Sequence, residues 1–168
     1  MPTVRDFLLV IAALLIQSTF TETIAIRQIK PDVVLVVLVF ISLSDGQIAG
    51  TAFGFLAGWL QDIYSPQHLG LNALCKSITG FLVGYGHGGV IEKNVITQSA
   101  ILFVATILHD VMYFVVYCWG HMQDYMWYLV RHSIPTAFYT SAVGLLFLLI
   151  HSAWRMRKGH YARRFVSR

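Results

Sequence analysis

Residues 33–44 separate Asp32 from Asp45 without a single ionisable side chain, and apolar runs of this kind recur along nearly the whole chain. A helix needs about 20 mostly apolar residues to cross a bilayer core of about 30 Å. Nothing long enough for a sizeable aqueous domain is left between the runs. Composition agrees. The 168 residues are 57% hydrophobic and 12% charged, with a mean hydropathy of +0.65, whereas a soluble domain is roughly 25% charged. The chain reads as an all-α integral membrane protein, one transmembrane helical bundle over residues 1–153 followed by a basic tail, 154–168.

Spans are expected near 5–24, 31–45, 47–62, 69–91, 95–119 and 133–153. The first run follows Arg5 and has the look of a signal peptide, but no small-x-small cleavage site follows it, so it is read as a span. Asp45-Gly46 is expected to be a tight turn between two short spans; were 31–62 one broken crossing, five spans would remain. Six of the twelve Lys and Arg follow the last span (Arg155, Arg157, Lys158, Arg163, Arg164, Arg168), and such residues stay cytoplasmic. Six spans then place both termini inside, with Arg27 and Lys30 on the far side as a mild conflict. The tail either marks topology alone or contacts anionic lipid or an acidic partner. "MQDYMWYLV", near Tyr117 and Trp119, reads as an interfacial aromatic belt on the opposite surface.

Glycine recurs at every fourth position in "DGQIAGTAFGFLAGWLQD": Gly46, Gly50, Gly54 and Gly58. An interior glycine costs a helix in water about 1 kcal/mol relative to alanine, but in lipid small residues let helix backbones approach and pack. Gly80, Gly84 and Gly88 repeat the device, and their row extends back to Lys76 and Asn72. A third small face runs through Ser133, Thr136, Ala137, Thr140, Ser141 and Gly144. These faces serve packing within the chain or against another membrane protein.

Catalytic signatures are missing. The seven histidines, His109 among them, form no H-x-x-x-H or H-E-x-x-H pair, and "GYGHGG" lacks the G-K-[ST] of a nucleotide loop. Cys75 and Cys118 lack C-x-x-C spacing and read as small apolar fillers. No cofactor, metal site or nucleic-acid partner is expected. What the apolar spans do contain is Asn72, Lys76, His109 and Asp110. Lys76 lies about 10 Å from the outer face and Asp110 about 22 Å from the inner face at 1.5 Å per residue. In a core of about 30 Å they come level. An unpaired charge at depth is costly, so an ion pair between Lys76 and Asp110 is expected, the alternative being a Lys76 that snorkels to the headgroups.

The stretch from Pro31-Asp32 through Gly50, Gly54-Phe55, Gly58, Asp62, "LGLNAL" (Leu69 to Leu74), Lys76 and Gly80/Gly84 closely resembles the MreD family of bacterial rod shape-determining membrane proteins. The likeness is specific over residues 31–85 and generic outside. It implies a non-catalytic adaptor of the cell-wall elongation complex in the inner (cytoplasmic) membrane. The partners so implied are MreC, MreB directly or through others, RodA, a class B penicillin-binding transpeptidase and membrane lipids. It also implies a six-helix fold similar to the substrate-binding subunits of energy-coupling-factor vitamin transporters. Since fold does not dictate function, that likeness supplies the alternative: a small-molecule-binding transporter subunit, its pocket lined by Asn72, Lys76, Asp110 and nearby aromatics.

Overall fold

The computed structural model describes residues 4–20, 30–64, 69–88, 95–117 and 129–165. Among these residues every regular element is helical. The order is α1 (Val4–Phe20), α2 (Val33–Asp62), α3 (Leu71–Val83), a 3-10 turn at Gly84–Gly86, α4 (Val95–Tyr117), a π-helical turn at Leu129–Ser133 and α5 (Ile134–Phe165). Three stretches among the described residues are long and apolar enough to cross a membrane: Val33–Asp62, Val95–Tyr117 and Val130–Leu149.

α2 is not a straight rod. Gly46 interrupts it with φ 87° and ψ −172°, a left-handed backbone that glycine adopts without steric cost. The two arms, 33–45 and 47–62, fold against each other. Ser42 Oγ lies 2.5 Å from where a Cβ on Gly50 would stand, although eight residues of continuous helix would separate these positions by about 12 Å. The arms share one apolar core, in which Leu35, Leu38 and Ile41 meet Ala49, Phe53 and Ala57, closed by Val10 and Ala13 of α1. The expected turn at Asp45-Gly46 is thus a sharp reversal inside an almost uninterrupted helical stretch. Beside the kink, His87 Nδ1 donates to the Leu43 carbonyl at 2.9 Å. The same end of the bundle is held by Arg5, 2.7 Å from buried Asp6 and 3.5 Å from Asp45.

The glycine rows pack within the chain. A Cβ on Gly50 would overlap the Gly80 backbone, one on Gly54 the Lys76 backbone, one on Gly58 the backbone of Asn72 and Ala73, and one on Gly84 the backbone of Gly46 and Gln47. The second arm of α2 and α3 therefore touch backbone to backbone along their length. Gly88 departs from the expectation. α3 ends at Val83, the 3-10 turn carries the chain only to Gly86, and Gly88 (φ 77°) sits in the turn beyond with nothing near its Cβ position among the described residues. The third small face also packs internally: Ser133, Ala137 and Thr140 are buried, and Gly144 meets Leu102 of α4 and Val36 of α2.

α5 runs without a break from the bundle through Phe165, so most of the segment read as a separate tail continues the last helix. Trp119, and "MQDYMWYLV" up to Tyr128, lie outside the described residues, as do Arg27, Cys118 and Arg168.

Candidate functional site

Asp32 takes an extended backbone and is the N-cap of α2. Its Oδ1 accepts from the Leu35 amide at 2.8 Å, and its own amide donates to Thr140 Oγ1 of α5 at 3.1 Å. The other carboxylate oxygen, Oδ2, lies 2.5 Å from Lys76 Nζ. Lys76 is fully buried, and Asp32 is largely so. The glycines of α2 position the pair, because with no side chain at Gly54 the α3 backbone at Lys76 sits directly on α2.

Lys76 does not form the expected ion pair with Asp110. Lys76 pairs with Asp32, and His109 stands between Lys76 and Asp110: Nζ is 3.5 Å from His109 Nε2, and His109 Nδ1 is 3.2 Å from Asp110 Oδ1. An ammonium group only donates. His109 Nε2 is therefore the acceptor, and the proton on Nδ1 is given to Asp110. Depth matching brought Lys76 and Asp110 to one level, but helix rotation decided which carboxylate the ammonium meets. Snorkelling is also excluded, since Lys76 has no exposed surface.

Asp62 is a second buried carboxylate, whose role its position in the sequence does not reveal. α3 begins after Gly70, whose left-handed backbone carries no capping side chain. Asp62 supplies the missing acceptors from the end of α2. Its oxygens receive the Gly70 amide at 3.0 Å, the Asn72 amide at 3.1 Å, the Ala73 amide at 3.1 Å and Asn72 Nδ2 at 2.9 Å. The signal was an aspartate eight residues before a glycine that opens a helix. Asp62→Ala is expected to destabilise the bundle by about 2 kcal/mol, the upper end for a lost cap, read as a lower melting temperature in detergent. Unchanged melting would show that water replaces the carboxylate.

Beside this network lies a cleft of about 350 Å³ lined by Asn72, His109, Asp110, Tyr113, Phe114, His132 and Thr136. Asn72, His109 and Asp110 of the expected polar set meet there, whereas Lys76 lies beneath, out of contact with it. The oxygens of Asp32 and Asp62 are committed to donors. Asp110 Oδ2 meets no hydrogen-bond donor among the described residues.

The residues that converge here are also those on which the sequence likeness rests: Asp32, the α2 glycines, Asp62, the start of α3 and Lys76. The sequence profile of a family described as rod shape-determining protein MreD matches residues 2–156. The chain belongs to the MreD family. Comparison with curated proteins and with solved structures gave no match. Family membership carries a role in rod-shape determination, and the apolar helices fit a membrane protein. The match also takes in α1, α4 and most of α5, which the likeness in the middle of the chain reached only by order and length.

Proposed function

We propose that this chain is a non-catalytic adaptor of the cell-wall elongation complex, crossing the inner membrane six times with its C-terminus in the cytoplasm and binding MreC and the peptidoglycan-synthesis proteins. Membership in a rod shape-determining family carries the reading. The folded-back α2 supports six crossings, because its arms provide two antiparallel passes where length alone counts one. The arms are short, about 20 and 24 Å at 1.5 Å per residue, and thinning of the bilayer accommodates such mismatch. The glycine faces are consumed inside the bundle, so partners in this reading meet the outward faces of α1 and α4, where Leu8, Leu15, Val104 and Val115 are exposed. Depleting the protein in a rod-shaped host should give round cells that regain shape on re-expression. Rods that persist, with MreC absent from a mild-detergent pull-down, would overturn the reading.

The cleft favours a second reading, the small-molecule-binding transporter subunit, since Asn72, Asp110 and aromatic rings do line one opening. Normal shape with a nutrient requirement on depletion would select it.

The basic end of α5 is read as a topology signal. Replacing Arg163, Arg164 and Arg168 with Gln should leave rod shape intact, because Arg155, Arg157 and Lys158 still mark the cytoplasmic side. Loss of shape with normal insertion of a reporter fusion would show that the tail has a partner.

A further inference from the structure

The cleft beside the charge network has a chemistry that the adaptor reading does not use. Its acceptors are not all met by donors among the described residues. Lys76 neutralises Asp32, and His109, accepting through Nε2 and donating through Nδ1, is neutral. Asp110 lies beyond that pairing, with only 16% of its side chain exposed and His109 Nδ1 as its one described donor. Burial of a carboxylate with a single neutral donor is unfavourable unless a further donor or counter-charge joins it.

The wall beside Asp110 is aromatic. His109, Tyr113 and Tyr117 recur at every fourth position of α4 and stack in a row, with ring centres 6.1 and 6.0 Å apart and planes 24° and 18° from parallel. A carboxylate oxygen without a described donor, beside Tyr113 and Phe114 in a cleft of about 350 Å³, is complementary to a small organic ammonium. An anion would be repelled by Asp110, and a neutral apolar group would leave the carboxylate desolvated.

We propose that this cleft binds an alkylammonium group, with the N–H groups directed to Asp110 Oδ2 and the adjoining methylenes against Tyr113. The shared chemistry is an aminoethyl group, which arrives either on a phospholipid headgroup or as a free amine. A lipid source suits the setting, because Val115 and Val116 on the same helix are exposed and apolar.

The test uses the purified full-length protein in a neutral detergent. Lipid retention is read by native mass spectrometry with phosphatidylethanolamine or with phosphatidylglycerol of the same acyl chains, and free ethanolamine is added in a separate arm. Phosphatidylethanolamine is expected to be retained at least fivefold over phosphatidylglycerol. Asp110→Asn keeps an acceptor for His109 and should abolish that preference without changing the melting temperature. If instead free ethanolamine raises the wild-type melting temperature and leaves Asp110→Asn unmoved, the proposal stands with a soluble amine as the source. Binding of neither amine, or binding that Asp110→Asn leaves intact, overturns it. Should Asp110→Asn fail to fold, Tyr113→Leu decides: amine binding weakened severalfold supports the site, and unchanged binding refutes it.

Discussion

Gly54→Leu is expected to force the second arm of α2 away from α3 and to lower the stability of the bundle by about 3 kcal/mol or more. Extra methylenes in a packed core cost about 1–3 kcal/mol when neighbouring side chains can yield. At Gly54 the neighbour is the Lys76 carbonyl and peptide backbone, and backbone does not yield locally. The displacement would also drag Lys76 away from Asp32, so a packing defect becomes an electrostatic one. Ala52→Leu is the matched control, because Ala52 lies on an exposed face of the same arm and should be neutral in lipid or detergent. A falling melting temperature and reduced co-purification of partners for Gly54→Leu, with Ala52→Leu unaffected, is the expected pattern. Equal behaviour of the two variants would dismiss close packing as what the glycines are for.

Removing the charge of Lys76 should cost about as much. Breaking one side of a buried ion pair costs about 3–5 kcal/mol, because the remaining charge stays buried without compensation. Lys76→Met leaves Asp32 in that position, with Oδ2 facing an apolar chain. Asp32→Asn should cost a similar amount, since its Oδ1 still caps the Leu35 amide but the fully buried Lys76 ammonium loses its counter-charge. Exchange of charges separates the observed pairing from the one depth matching suggested. Lys76→Asp combined with Asp32→Lys should recover part of the protein level lost in each single variant, the shortfall reflecting the lost N-cap. Lys76→Asp combined with Asp110→Lys should recover none. Rescue by the second combination, or a silent Lys76→Met, would refute the network.

The membrane environment, the helical class, the family and the glycine faces were all legible in the sequence, each for a local reason. Run length and charge depletion report the solvent, four-residue spacing reports a helix face, and Asp45-Gly46 reports a reversal because few other pairs take a left-handed backbone so readily. The family likeness rested on residues whose roles the sequence did not state. Asp32 looked like the start of a span and Asp62 like its end. One proved to hold Lys76 and the other to cap α3, through contacts spanning 44 residues and 8–11 residues. Residue spacing sets which side chains share a helix face and how deep they lie in the bilayer. It does not set how that face is turned toward its neighbours, which follows from backbones settling into glycine grooves and caps finding their donors. Hence Lys76 was read at the right depth with the wrong carboxylate, and Gly88 was assigned to a helix that ends before it. The sequence by itself determined that buried charges here must find partners. Only the tertiary structure decided which ones do, and left Asp110 at the edge of a cleft, because partner choice depends on helix rotation and helix rotation is a property of the whole packed bundle.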